Sequence, residues 1–211
     1  MGHRALIAYD RPDSTYNLHY SHWGALNLRL IRAITERTPF GSDDPDETLQ
    51  SIHRQLCQTT TAADVDRLLD GRDLPLTQVE IEPRAIGVTL EEVITDHLDY
   101  LHHEACYVVD SDFQVTAYRT HWLGLQYDCT TVENAPTVGN GALRTVRWYD
   151  GEPVGDGHAQ GEFRALKAVV GDMVDRGVFT WAEAIEYMAR KLDDWVDDTE
   201  ELLINKPRLV E

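Results

Sequence analysis

The stretch ALIAYDRPDSTYNLHYSHW, Ala5–Trp23, decides how the start of the chain folds. Two runs of β-forming residues flank DRPDS at 10–14, a cluster of turn formers in which Pro12 fixes its own φ and the Asp and Ser side chains can accept from nearby amides. This pattern predicts a β-hairpin with a loop of about four or five residues. Because successive side chains on a strand alternate, Tyr20 and His22 fall on its more apolar face.

A similar pattern returns in ACYVVDSDFQVTAYRTHW, Ala105–Trp122. Ala5 aligns with Ala105, and the pair at 22–23 aligns with His121-Trp122 when one loop residue is dropped. The sequence therefore predicts a second hairpin. Two explanations stay open: a duplication that gives two half-domains related by a pseudo-two-fold axis, or two hairpins that resemble each other by construction. The spacing is longer than the roughly 20–50 residues of solenoid repeats.

The charge of the chain is strongly acidic. It has 37 acidic and 19 basic residues among 211, a net charge of −18, and the acidic residues are spread along its length. Such a composition is typical of a protein kept soluble in molar salt, where the Debye length falls to about 3 Å and self-repulsion is screened. No basic cluster is visible, so binding to nucleic acid is not expected.

Other sequence features bear on cellular location and cysteine chemistry. No apolar run reaches the roughly 18 residues that span a membrane. Met-Gly-His-Arg followed by a predicted strand has no signal-peptide layout, so we expect a cytoplasmic protein without membrane association. Cys57, Cys106 and Cys129 form no C-x-x-C pair, and a disulfide framework or cysteine zinc site is therefore not expected.

Helical patterns separate and follow the two hairpins. A stripe of apolar residues begins at Gly24, and residues 75–83 alternate like a strand. Two capping boxes, Thr89-x-x-Glu92 and Thr180-x-x-Glu183, open further helices. The last helix carries apolar residues at alternating steps of four and three as far as Leu202, which suits a narrow seam against either the 161–176 helix or the same helix of a second subunit.

Together these patterns predict an α+β fold with a largely antiparallel sheet built from hairpins and packed with six to seven helices. No linker splits the chain cleanly. We therefore expect one domain over residues 1–211, with half-domains at 1–83 and 84–211 if the duplication is real.

The first 41 residues resemble the opening of an uncharacterised family of haloarchaeal proteins. The resemblance is carried by RAL at 4–6, YNLHY at 16–20, SHWG at 21–24 and TPFG at 38–41, and it is clear over about the first fifth of the chain. It implies a halophilic archaeal origin and supplies no activity.

Two kinds of ligand site are disfavoured. His102-His103-Glu104 lies at a helix–strand junction, but adjacent residues point in different directions and no helical H-E-x-x-H is present, so no metal is expected. Gly155–Gly161 is one residue away from G-x-G-x-x-G, yet Asp156 would repel an anion there and no Gly-Lys-Ser/Thr follows. No cofactor is therefore expected.

The two His-Trp pairs are the best candidates for a site. Each histidine is either a core residue bonded to a backbone carbonyl, or one of two polar groups, His22 and His121, that open onto a common cleft. In the second case the ligand would contact four further residues: Tyr20, Trp23, Arg119 and Trp122.

Two function classes follow. The first is a non-catalytic module that binds a protein or small ligand, or that forms a homodimer through the C-terminal helix. The second is a small hydrolase that uses His22 and His121 in acid–base chemistry, with Asp10, Asp110, Arg4 or Arg119 nearby. The lack of an intact catalytic motif favours the first class.

Overall fold

The structure is a computed structural model that describes residues 2–206. Its strands and helices are, in chain order, β1 Arg4–Asp10, β2 Tyr16–Ser21, α1 Leu30–Ala33, α2 Glu47–Leu56, α3 Ala62–Leu69, β3 Ala85–Val88, α4 Leu90–Glu92, β4 His103–Val109, β5 Val115–Trp122, β6 Gly141–Thr145, β7 Arg147–Tyr149, β8 Glu152–Val154, α5 Asp156–Asp175, α6 Trp181–Asp194 and β9 Leu202–Asn205.

The fold is α+β, as the sequence predicts. Seven strands form one mostly antiparallel sheet in the order β3-β2-β1-β4-β5-β6-β9, and β7 pairs with β8 in a separate hairpin. Over the described residues the six α-helices fall within the predicted number. In the same part of the chain no helix is both long and apolar enough to cross a membrane.

The described chain divides into two compact units. Unit 1 takes in residues 2–94 and 103–117, and unit 2 takes in residues 95–102 and 118–206. These boundaries differ from the predicted half-domains, because residues 84–94 and 103–117, predicted in the second half-domain, group with unit 1. The single-domain assignment stays a prediction.

Unit 1 is built around the predicted first hairpin. β1 pairs antiparallel with β2, and the turn closes through the bond from the Arg11 amide to the Thr15 carbonyl, 2.9 Å. Five consecutive β1 residues, Ala5 to Tyr9, are buried. The helix α2 packs its apolar positions Leu49, Ile52 and Leu56 into the same core.

Two local predictions in unit 1 are wrong. The helix expected from Gly24 is broken, because Asn27 and Leu28 adopt left-handed conformations with φ of 52° and 50°. Leu28 is completely buried there, so packing of its side chain overrides the helical pattern. The segment at 75–83, expected to be a strand, has an irregular conformation. It lies beside β2, where the Glu80 amide donates to the Tyr20 carbonyl at 2.8 Å.

The pairing of β1 with β4 bears on the predicted duplication. These strands are parallel, and Ala5 lies beside Ala105, the residue with which it aligns in sequence. Paired residues on parallel strands put their side chains on the same face of a sheet. A two-fold axis along the strands would put equivalent residues on opposite faces, so this register gives the duplication no support.

Unit 2 contains residues 118–122 of β5, the strands β6 and β9, and the helices α5 and α6, which pack together. The capping box of α6 forms as predicted, with Glu183 bonded to the Thr180 amide at 2.8 Å. The helix stops at Asp194 rather than continuing to Leu202, which instead pairs with Arg144 at the sheet edge. Sheet pairing therefore overrides the continued apolar spacing.

The predicted seam of α6 is covered within this chain. Its buried positions are Ala184, Ile185, Met188, Ala189 and Leu192. The homodimer through this helix stays a prediction.

Candidate binding pocket

A small pocket in unit 2 gathers charged side chains from five segments. Its lining includes Arg119 and His121 on β5, Arg144 on β6, Arg147 on β7, Asp156 at the start of α5, and Glu200 just before β9. We call this group the arginine–carboxylate pocket. Arg119 lies directly opposite Arg144 in the β5–β6 register, and His121 is two residues further along the same face.

Two arginines side by side on adjacent strands repel each other, and two carboxylates compensate for this. Asp156 accepts from Arg119 at Nε, 3.0 Å, and at Nη2, 2.8 Å. Glu200 accepts from Arg144 at Nε, 3.1 Å, and at Nη2, 2.9 Å. All four side chains are largely buried. Each pair therefore has the two-point geometry that makes an arginine–carboxylate contact strong.

Arg147 completes the charged lining from a more exposed position. Its Nη1 lies 3.1 Å from a carboxylate oxygen of Asp197, and its Nε lies 3.8 Å from Glu200. Both members of the Arg147–Asp197 pair are about half exposed, so solvent screens their attraction. Arg147 is thus the cation of the pocket that is held least firmly.

His121 is the neutral member of the group. Its side chain is only 3% exposed, and burial lowers its pKa to about 4, with the positive charge of Arg144 acting in the same direction. The ring therefore carries no charge at pH 7. It packs edge-on against Phe163 with ring centroids 4.9 Å apart.

The Nε2 atom of His121 is buried and has no hydrogen-bond partner in the described structure. Leaving a buried polar atom unpaired costs about 1–3 kcal/mol, so native proteins rarely do so without a reason. Because His121 lines the pocket, a bound molecule that reaches this atom would gain a hydrogen bond.

The size of the pocket limits what it can hold. Its empty volume is about 320 Å³, part of it open to solvent, but the centre of a water molecule can occupy only about 20 Å³ of that. That is room for one or two waters, or for the head of a small ligand.

The first turn of α5 forms one wall of the pocket through Gly155, Asp156 and Ala159. Gly155 is the N-cap in a left-handed conformation with φ of 74°, and it offers no side chain to accept from the first amides of the helix. The positive end of the helix dipole therefore faces the pocket. The segment Gly155–Gly161, where the sequence disfavours a nucleotide or anion site, thus borders this pocket.

Of the site residues predicted from sequence, Arg119 and His121 line this pocket, whereas His22 belongs to unit 1. There Tyr20 Oη lies 3.1 Å from His22 Nδ1, and the His22 ring stands edge-on to Trp23, with centroids 5.0 Å apart. Trp23 is 46% exposed. The cleft shared by His22 and His121 stays a prediction.

Trp122 has a structural environment of its own. Its indole N–H donates to the Pro136 carbonyl at 2.8 Å, and the Lys167 ammonium lies 4.4 Å from the ring centroid. Lys167 is also paired with Asp128 at 2.9 Å, while burial lowers its pKa. Trp122 therefore packs against the buried ammonium of Lys167, a cation–π contact that the sequence does not predict.

The remaining acidic and histidine candidates form turn and surface contacts. Asp110 accepts from the Gln114 amide at 2.7 Å in the turn between β4 and β5. His102 bonds Asp99 at 2.9 Å, and Glu104 bonds His3 at 2.8 Å. Over residues 2–206, no group of three or more His, Cys, Asp or Glu side chains is arranged to hold a metal ion.

Four charged residues of the pocket, Arg144, Arg147, Asp156 and Glu200, are missed as site residues by sequence reasoning. Asp156 is 37 positions from Arg119, and Glu200 is 56 from Arg144, so only the fold pairs them. One signal was available: Arg144 stands in the strand ALRTV, and an arginine with apolar neighbours needs a carboxylate partner when buried.

One family model, described as a family of unknown function (DUF6735), matches residues 1–204. No curated protein and no solved structure matches the chain.

Proposed function

The chain belongs to the family of unknown function DUF6735, and for it we propose a non-catalytic binding module whose ligand occupies the arginine–carboxylate pocket. The observation that carries the proposal is the unpartnered Nε2 of His121, which is buried in the lining of a pocket that polar and charged groups surround. A ligand that bonds this nitrogen removes the cost of the buried unpaired atom.

The geometry favours binding over hydrolysis. A general base works best when its pKa lies near the operating pH, but burial lowers the pKa of His121 to about 4. The hydroxyl in the lining, that of Thr145, accepts from the Glu201 amide at 2.8 Å. The chemistry of the pocket therefore suits holding a ligand more than activating a nucleophile.

A titration followed by NMR tests this function. Protein with ¹⁵N-labelled histidine is titrated separately with potassium formate, potassium chloride, glycerol and ethylammonium sulfate, at constant high ionic strength in potassium sulfate. We expect at least one of these probes to shift the ring nitrogens of His121 with a saturating curve. The His121→Gln variant identifies those resonances and should lose the binding.

His19→Gln is the matched control, because His19 is equally buried but lies in unit 1. It should leave the titration unchanged. If no probe moves the His121 nitrogens, or if His121→Gln binds as tightly as the wild type, the binding function is wrong.

We also propose that the module works in a salt-rich cytoplasm. The support is the net charge of −18, which salt must screen if the compact state is to persist. The melting temperature should rise by several degrees or more as KCl increases from about 0.2 to 2 M, because the Debye length shortens over that range. A melting temperature that does not change with KCl would contradict the halophilic proposal.

A further inference from the structure

The balance of charge in the arginine–carboxylate pocket points to the kind of ligand it holds. Its lining has three arginines and two carboxylates, and His121 is uncharged at neutral pH. Within the lining, positive charges therefore exceed negative charges by one, in a protein whose net charge is −18. Asp197, which pairs with Arg147, lies outside the lining and is half exposed. A surplus of positive charge in this lining is the opposite of the surplus of acidic residues in the chain as a whole.

On this basis, and resting on the function proposed above, we propose that the ligand is a small monovalent anion, a carboxylate or a halide. It lies between Arg147 and the first turn of α5 and accepts a hydrogen bond from Nε2 of His121. A neutral imidazole can carry its proton on Nε2 and act as that donor.

The donors around this position are suited to an anion. Asp156 accepts from Nε and Nη2 of Arg119, and Glu200 accepts from Nε and Nη2 of Arg144. The Nη1 atom of Arg144 takes no part in the pair with Glu200. The N-terminus of α5 adds the partial positive charge of the helix dipole, and no side chain caps it. Guanidinium groups, helix amides and the imidazole then all donate, and the ligand accepts.

Charge and size both select a small monovalent species. A divalent anion would leave the pocket with a net negative charge beside the carboxylates of Asp156 and Glu200, which would repel it. The cavity is narrow, about 20 Å³, and admits a halide or a single carboxylate head. We therefore expect formate and chloride to bind more tightly than sulfate.

Two substitutions of opposite charge decide the sign of the ligand. For an anion, Arg147→Gln should weaken binding about tenfold, because one charge-assisted contact is lost. Asp156→Asn should tighten it, since a negative charge is removed from the lining beside the bound anion. A cationic ligand would reverse both effects, and a neutral ligand would show neither.

The dissociation constants are measured from the chemical shifts of the His121 ring nitrogens in potassium sulfate. Formate and chloride are titrated separately, which distinguishes a carboxylate ligand from a halide ligand. Arg190→Gln, an exposed change of equal charge on α6, is the control and should leave them unchanged. Arg147 is exposed, so its variant should fold even if Asp156→Asn does not.

The outcomes separate this proposal from the broader one. His121-dependent binding of glycerol or ethylammonium without formate or chloride would overturn the anion proposal and leave the binding module intact. Equal weakening by Arg147→Gln and Arg190→Gln would also overturn it. If none of the probes moves the His121 nitrogens, both proposals fail.

Discussion

The two units each bury a histidine on a strand, but they treat it differently. His19 in unit 1 is 1% exposed and His121 in unit 2 is 3% exposed, and burial lowers the pKa of both to about 4. His19 bonds the Glu80 carbonyl through Nδ1 at 2.9 Å and packs against the Phe40 ring. The Nε2 of His121 is buried without a partner, and His121 lines a charged pocket. Burial and a lowered pKa alone therefore do not mark a site; the unpaired atom does.

Acid should have the largest effect on this comparison. His19, His53 and His121 each have a pKa near 4 in the fold, against an ordinary value of 6.5. The unfolded chain therefore binds more protons than the folded chain below pH 6.5. Their contribution to stability is present above pH 6.5 and is lost as the pH falls towards 4, by up to about 3 kcal/mol for each histidine.

Urea unfolding at pH 7, 6 and 5 in constant KCl measures that loss. His121→Leu should remove one histidine's share of the slope. A free energy of unfolding that stays constant across this pH range would show that the buried histidines do not remain neutral in the fold.

A comparison of ion pairs should give the next largest effect. Glu200→Gln removes the charge that compensates the largely buried Arg144, and we expect it to cost about 3 kcal/mol. Glu80→Gln breaks the Arg84–Glu80 pair of unit 1, where both side chains are about half exposed, and should cost less than about 1 kcal/mol. Unfolding of both variants in the same salt tests this, and equal costs would mean that the pocket pair is screened by solvent.

The smallest expected effect is also the sharpest test of the two histidines. His19→Leu leaves the Glu80 carbonyl without its partner and should cost about 1–3 kcal/mol. His121→Leu removes an unpaired polar atom, so we expect a free energy of unfolding equal to or above that of the wild type in the absence of ligand. A large loss from His121→Leu would place an unseen partner on Nε2.

The elements that the sequence predicts well depend on interactions between residues close together in the chain. The first hairpin and the capping boxes at Thr89 and Thr180 form because each depends on residues only a few positions apart. The end of α6 is missed because the choice between helix and strand at Leu202 depends on β6, about sixty residues earlier. Short-range pattern and long-range pairing compete there, and pairing prevails.

The site follows the same division. Arg119 and His121 are anticipated because strand alternation puts them on one face. Asp156 was expected to repel an anion, but its charge is already matched by Arg119, and no local pattern could reveal that contact. The pocket therefore consists of one predictable strand and of partners that only the folded chain supplies.

The parallel pairing of β1 with β4 has a consequence for synthesis of the protein. β1 leaves the ribosome before its neighbour β4, which follows about a hundred residues later. Until then the buried residues Ala5 to Tyr9 have only β2 beside them, and the other edge of this apolar strand is open to pairing with other chains. Such a long sequence separation also slows folding. Nascent chains that stop before His103 should therefore be prone to aggregation and rely on chaperones, whereas extension through Val109 should release them.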